Sequence, residues 1–294
     1  MEKIIITGCA GFIGSHLTET LLAAGYKVIG IDNFHPYYDI ALKKQNLQSA
    51  LQNSHFQFYE VDILKVSQLE KIFSENPSST VVHLAALPGV RNSFEHPEEY
   101  FKINTEGTQS VFETALRQGI RHFLFSSSSS VYGEMQGQKA VEDVTPPNPI
   151  SPYAKSKVEA EKVILHLAES QSFSVNILRF FTVYGPRQRP DMAFQKFRRK
   201  ILAGETIELY GANISRDFTP VNRIVRGLEH ALHYRNGVEI FNLGSGIKTP
   251  VKDIILQIGH ELGLTPHIQI IPQQKGDPSF TLSDISKAKK LLNY

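Results

Sequence analysis

The chain has almost nothing with which to cross-link itself: of 294 residues, only Cys9 is a cysteine. No intrachain disulfide can form, which fits a reducing cytosol better than a secreted, stapled scaffold. A dominant charge is also missing. Lys and Arg number 31 against 29 Asp and Glu, a net charge of +2, so no field for a polyanion is implied and nucleic acid is not an expected partner. The densest basic run, Lys196, Arg198, Arg199 and Lys200, reads as the solvated face of a helix. No apolar stretch approaches the length of a membrane span. The opening MEKIIITG lacks the basic start and long apolar run of a signal peptide. A cytoplasmic protein without membrane contact is therefore expected. No internal repeat is visible, and no metal site is expected.

What is present is an alternation. Ile4–Thr7 is a short β-branched run, as a buried strand requires. Gly8–Gly14 interrupts it, His16–Ala24 has helical spacing closed by Gly25, and Lys27–Ile31 is again strand-like. The rhythm continues through a strand at Phe56–Val61, a helix at Val66–Phe73 and a strand at Thr80–Leu84. A long helix at Glu98–Gln118, a strand at His122–Phe125, a helix at Pro152–Glu169 and a strand at Ser174–Phe180 follow. Strands alternating with helices of this length predict an α/β fold: a doubly wound parallel sheet of the Rossmann type, covered on both faces. The rhythm weakens after Tyr184. The expected division is a dinucleotide-binding domain over 1–182, its sheet completed by 221–250, and a smaller substrate-binding lobe over 183–294.

TGCAGFIG places Gly8, Gly11 and Gly14 between the first strand and the first helix. Glycines there permit a tight turn and close approach of backbone to a pyrophosphate at the helix N-terminus. A glycine triplet alone often marks only a turn. Here the second strand ends in Asp32, at the distance expected of an acid that binds the adenosine ribose. A carboxylate at that point accepts from both ribose hydroxyls and repels a 2′-phosphate, which favours NAD over NADP. Asp62 and Ile63 end the third strand, and the small Ala85 and Ala86 end the fourth. Close packing explains the two alanines equally well.

The segment 126–157 carries the chemistry. It runs SSSSSVYG and, about twenty residues later, PYAKSK. On one helix Tyr153 and Lys157 stand at i and i+4 and share a face. An ammonium near a phenol favours the phenolate and lowers its pKa from about 10. A serine hydroxyl can then orient a substrate oxygen. The three groups together can remove a proton from an alcohol while its carbon loses hydride. Among eleven tyrosines, one accidental Y-x-x-x-K is unremarkable, and a surface pair is the plain alternative.

With these pieces assembled, the chain resembles the extended short-chain dehydrogenase/reductase family. The resemblance covers nearly the whole sequence: TGCAGFIG, the acid of IDNF, VDI at 61–63, HLAA at 83–86, SSSSSVYG, SPYAKSK, LRFFTVYGPRQRPDMAF at 178–194, RDF at 216–218, FNLGSG at 241–246 and KGD at 275–277. Together these are specific for enzymes of nucleotide-linked sugars. The resemblance implies Ser128, three residues before VYG, as the catalytic hydroxyl with Ser127 assisting. Tyr153 is implied as the acid/base and Lys157 as the residue that holds the nicotinamide ribose. It extends the cofactor site to Phe12, Ile13, Asn33, Leu84, Asn104, Ser126 and Phe180. It implies a UDP-sugar substrate, tightly held NAD and a homodimer formed through the helices at 98–118 and 152–169, whose apolar stripes internal packing would also explain.

Two absences narrow the reaction. Dehydratases that resemble this chain place an Asp-Glu pair just before VYG, and decarboxylases a glutamate. Ser129 and Ser130 stand there instead, and a hydroxyl cannot do that proton work near neutral pH. 4-Epimerisation remains. FFTVYGPRQRPDMAF and GVR at 89–91 are similar to UDP-glucuronate 4-epimerases, whereas UDP-glucose 4-epimerases usually carry asparagine at the position of Thr182. The resemblance implies Pro88, Gly89, Thr182, Met192, Phe194 and Tyr210 at the substrate, with Arg91, Arg187 and Arg216 as candidate cations. Arg216 is expected on the diphosphate, Arg187 near uridine or ribose and Asp277 on a ribose hydroxyl. Gln274 replaces an arginine that many relatives have, with Lys275 beside it. Thr281 leaves room for a 2-acetamido group, so a UDP-glucose or UDP-N-acetylglucosamine 4-epimerase stays open. So do a decarboxylase, a sugar-nucleotide reductase and a non-catalytic NAD-sensing protein.

Overall fold

The computed structural model of the chain describes residues 2–77, 80–169, 173–273 and 276–294. Its centre is β1 (Lys3–Thr7), whose Ile4, Ile5 and Ile6 are fully buried. Successive side chains of a strand point to opposite faces. Ile4 and Ile6 accordingly enter one core and Ile5 the other. β1 pairs in parallel with β2 (Lys27–Asp32) and β4 (Thr80–His83). With β3 (Phe56–Glu60), β5 (His122–Ser128), β6 (Ser174–Phe180) and β11 (Val238–Leu243) they form a seven-stranded sheet of order β3-β2-β1-β4-β5-β6-β11. Every pairing in it is parallel. Helices α1 (Phe12–Ala23), α2 (Ile40–Leu51), α9 (Val221–Ala231) and α11 (Ser286–Leu292) supply the core on one face. Helices α3 (Val66–Glu75), α6 (Gly107–Arg117) and α7 (Pro152–Ala168) supply it on the other. Strand order reverses between β1 and β4, and the crevice beyond their C-terminal ends is where such sheets bind ligands.

Two helices differ from expectation. The first begins at Phe12 rather than His16, so Gly14 lies inside it. A Cβ on Gly14 would stand 2.1 Å from the Gly8 carbonyl oxygen, so the helix can seat on the turn only without one. The long helix expected at 98–118 is three pieces. After the short α4 (Asn92–Glu95), α5 (Pro97–Phe101) leads through a π-helical turn at Lys102–Glu106 into α6. The wider turn aims Asn104 inward, where its amide bonds both backbone groups of Leu87 and the Ser156 hydroxyl.

The second lobe packs α8 (Ala193–Leu202) and α10 (Val251–Leu262) over β8 (Ile207–Tyr210), which pairs with β13 (Ile268–Ile271). Two short pairings join it to the sheet: β7 (Thr182–Tyr184) with β10 (Phe218–Pro220), and β9 (Ser215–Arg216) with β12 (Thr249–Pro250). Between these pairings Asp217 is fully buried. Its two oxygens accept from Thr219 Oγ1, from N–H and Oγ of Ser245, from Gly246 N–H, and from N–H and Oγ of Ser283. A Cβ on Gly244 would stand 2.2 Å from Ser283 Oγ, which explains the glycine of FNLGSG. The single thiol, Cys9, is fully buried beneath the glycine turn, and burial pushes its pKa well up.

Asp217→Asn keeps the shape but turns one acceptor into a donor facing donors. It is expected to cost about 3 kcal/mol and to lower the thermal midpoint by about 6 °C or more. Calorimetry checks this, and an unchanged midpoint overturns the role given to Asp217.

Candidate active site

Thr7 ends β1, and the chain then turns on Gly8, whose φ is +74°. A Cβ there would lie 2.7 Å from the backbone nitrogen of Ala85, so the turn after β1 and the end of β4 approach as closely as backbones allow. Below them His83 is a core histidine. Its ring bonds Thr7 Oγ1 (2.6 Å) and Thr108 Oγ1 (2.9 Å), and burial pushes its pKa down to about 3, so it stays neutral.

Asp32, at the end of β2, accepts from Ala10 N–H (3.1 Å) and Phe34 N–H (2.8 Å). A carboxylate has about four lone-pair positions, so two remain for a pair of vicinal hydroxyls. Burial raises the Asp32 pKa, and the nearby Lys43 ammonium pulls it back. Asn33 donates to Asp62 Oδ2 (3.0 Å), fixing the end of β3. These residues line one cleft with Gly8, Gly11, Phe12, Ile13, Gly14, Ile63, Leu84, Ala85 and Ala86. A glycine cradle that a Cβ would fill, followed by a half-satisfied carboxylate, fits the adenosine and pyrophosphate of a dinucleotide.

The same cleft continues past Ser126, Ser127, Ser128, Tyr153, Lys157, Phe180 and Thr182 to Pro88, Gly89 and Met192. Ser151 caps α7 by accepting from Ala154 N–H (3.2 Å), and Pro152 fills the first helical position. This start sets Tyr153 and Lys157 one turn apart on the inward face. Lys157 is 2% exposed and its Nζ donates to the Ser126 carbonyl (2.8 Å). Ser128 Oγ accepts from Ser130 N–H (3.1 Å), which leaves its hydroxyl proton free to donate.

The electrostatics differ from the simple expectation that Lys157 lowers the Tyr153 pKa. Burial raises it, and the two influences that oppose burial are the Ser128 hydroxyl and the Arg189 charge. Lys157 is weakened as a cation because burial drags its own pKa down to about 7.

Several expected residues stand elsewhere. Asn104 is fully buried and its amide is consumed as described, so it fastens the loop after β4 instead of lining the cleft. Ser127 borders the cleft, but its hydroxyl points the other way along the strand and donates to Glu161. Arg187, with φ +63°, turns away from the cleft to pair with Glu19 of α1 (2.8 Å). Arg189, two residues on, lines the cleft instead, held in two-point contact by Asp191 (2.9 and 3.1 Å). Burial pushes the Asp191 carboxyl up, but Arg189 more than offsets this. Phe194 lies in the second-lobe core, stacked on Tyr184 with centroids 4.5 Å apart. Tyr210 lies beneath the Arg91 guanidinium (4.6 Å), and Arg216 pairs with Asp277 (2.6 Å), so all four are occupied by one another. Thr281 is buried and its Oγ1 accepts from Asp217 N–H, so it makes no wall of the cleft. Gln274 and Lys275 lie outside the described residues.

His35, Tyr37, Tyr38, Lys43 and Arg189 line the cleft without having been singled out. Arg189 had a signal, since it shares PRQRPDM with Arg187, but only the backbone turn decides which of the two faces inward. The aromatic pair after IDNF carried none.

Gly8→Ala forces a side chain into the glycine turn at a left-handed φ, against the backbone of Leu84 and Ala85. The purified variant is expected to carry at least about tenfold less NAD, a cost of about 1.4 kcal/mol in affinity. Chromatography of the nucleotide released on denaturation measures it, and full occupancy overturns the cradle.

Comparison with known proteins fits this geometry. Residues 4–244 match the NAD dependent epimerase/dehydratase family. A UDP-glucuronate 4-epimerase of Thermodesulfobacterium geofontis is 37% identical, covering 100% of this chain and 91% of its own. The structure of a UDP-glucuronic acid 4-epimerase from Bacillus cereus in complex with UDP-glucuronic acid and NAD superposes with a TM-score of 0.93 at 38% identity, over 99% of this chain and 93% of that one. A UDP-glucose 4-epimerase of Thermotoga maritima with UDP-glucose gives 0.90 at 31%, over 99% and 93%. A glycine cradle, an acid at the end of β2 and a Ser128–Tyr153–Lys157 centre thus sit in a chain that belongs to the NAD-dependent epimerase/dehydratase family.

Proposed function

We propose that the protein converts UDP-glucuronate to UDP-galacturonate by inverting C4, through a transient 4-keto sugar. One observation carries the choice of reaction. Among the described residues, the only carboxylates lining the cleft are Asp32 and Asp62, at the adenosine end. Around Ser128 and Tyr153 the wall is the neutral Ser126–Ser130 and Thr182 together with the basic Lys157 and Arg189. No acid stands there to eliminate water across C5 and C6.

Bound NAD supplies the hydride acceptor and donor for C4. The chain's own groups manage the proton and the geometry. Tyr153 takes the proton from O4 and later returns it, and Ser128 donates to the same oxygen. Lys157 sits beneath Tyr153, anchored on the Ser126 carbonyl. Arg189 adds a positive charge that favours the phenolate. The neutral serines and Thr182 suit a C6 carboxylate that must not be driven out as carbon dioxide. A 4-keto uronic acid is a β-keto acid, and it decarboxylates when the carboxylate bond aligns with the carbonyl π system. Hydrogen bonds that hold the carboxylate nearer the carbonyl plane protect it while the sugar turns its other face.

UDP-glucose is the second candidate substrate, favoured by 38% identity to an uncharacterized UDP-glucose epimerase of Bacillus subtilis. Thr182 at the cleft speaks for the uronic acid. A cytosolic homodimer belongs to the same proposal. A single buried thiol and the absence of a membrane-crossing helix among the described residues are compatible with that location.

Purified protein incubated with UDP-glucuronate, UDP-glucose or UDP-N-acetylglucosamine, without added NAD, is expected to epimerise UDP-glucuronate fastest, followed by proton NMR. Mostly UDP-pentose from UDP-glucuronate, or faster turnover of UDP-glucose, overturns the assignment. Tyr153→Phe is expected to lose about a thousandfold in kcat with little change in KM. Retained turnover in that variant would falsify the acid/base role.

A further inference from the structure

The inward face of α7 does not end at Lys157. One further turn along, roughly 6 Å of helix rise, stands Glu161, 3% exposed. Its two oxygens are taken by Arg179 of β6 in a two-point contact: Nε to Oε1 (3.0 Å) and Nη2 to Oε2 (2.7 Å). Ser127 donates to the same Oε1 (2.5 Å). The side chains of the ion pair are 3% and 4% exposed, and the Arg179 guanidinium lies 4.7 Å over the Tyr132 ring. Burying an ion pair so completely commonly gains no stability over an apolar replacement, so its retention calls for another reason.

Position supplies one. β5 is fastened to α7 at two consecutive residues. The Ser126 carbonyl accepts from the Lys157 ammonium, and the Ser127 hydroxyl donates to Glu161. The next residue is Ser128. We propose that Glu161, held by Arg179 and Ser127, is a positioning residue of the reacting centre: it supplies the counter-charge of Lys157 and braces the strand end that carries Ser128.

Among the described residues, the surroundings of Lys157 offer no substitute. From α7 it faces Tyr153 and Glu161. From β4 it faces His83, which is neutral. β5 presents Phe125, whose ring lies 4.8 Å from Nζ, and the serines. β6 brings Arg179, already bound to Glu161, with Tyr132 against it. Tyr100 of α5 and Arg189 act on Tyr153. Glu161 is therefore the acid that works against burial to keep Lys157 protonated. Lys157 serves as the ammonium, so activity falls as pH rises through its titration.

The proposal rests on Tyr153 and Lys157 as the reacting pair, but its primary measurement needs no substrate. Lysine labelled with ¹³C at Cε is titrated by NMR in the protein as purified, and the Lys157 signal is identified by its loss in Lys157→Met. In the double variant Glu161→Gln/Arg179→Gln, which does not leave the Arg179 guanidinium buried without its carboxylate, the midpoint of Lys157 is expected to fall by about one pH unit. The descending limb of kcat against pH should move by the same amount, with KM unchanged. Glu161→Gln alone should move it further, because Arg179 is then uncompensated. If that variant does not fold, the double variant decides. A lower thermal midpoint with an unmoved Lys157 titration overturns the proposal and leaves the ion pair a structural brace. A moved titration in a protein that turns over no UDP-sugar instead sinks the assigned reaction.

Discussion

A buried carboxylate is tolerated only when donors replace the water it has lost. Asp217 meets that demand with six donors, drawn from the strand after it, from the loop that ends β11 and from the segment before α11. Those segments lie far apart in the chain, and one buried side chain gathers them. β9 and β10 flank Asp217 directly, and Arg216, next to it, pairs with Asp277. The junction of β9 and β10 is thus tied to the segments at 245–246 and Ser283 through one carboxylate.

The sheet imposes a second constraint. Seven parallel strands put every strand's C-terminal end on one edge, and the switch between β1 and β4 opens the only crevice such a topology needs. Close backbone approach at Gly8, small residues at Ala85–Ala86 and a capped start to α7 then converge on that crevice. Inside it the balance of forces is set by burial. Dehydration raises Tyr153 and lowers Lys157, and the polar groups nearby exist to resist both shifts.

Much of this was legible in the sequence where local chemistry decides the outcome. The β-branched run of β1, the glycine turn, Asp32 and the S-P-Y start of α7 each follow from neighbours in the chain. What was not legible depends on backbone direction or on a partner distant in sequence. Arg187 and Arg189 are equivalent in PRQRPDM until a left-handed turn sends one to Glu19 and the other to the cleft. Arg216 and Asp277 both look free as ligand residues until they are found facing each other. The apolar pattern of 98–118 is helical throughout, and nothing in its spacing marks the wider turn that buries Asn104. Ser127 and Ser128 are the same residue type, one strand position apart. Alternation alone assigns one to Glu161 and the other to the cleft.

Cys9 has a consequence of a different kind. It is the chain's single thiol, fully buried, touching the position where a side chain on Gly30 would go, and held protonated by its surroundings. Thiolate, not thiol, reacts with oxidants and alkylating reagents. The folded protein is thus chemically silent at sulfur from cysteine. Any cysteine introduced at an exposed position becomes a uniquely addressable point, so a fluorophore or spin label can be attached at a chosen site without first stripping the protein of its native thiol.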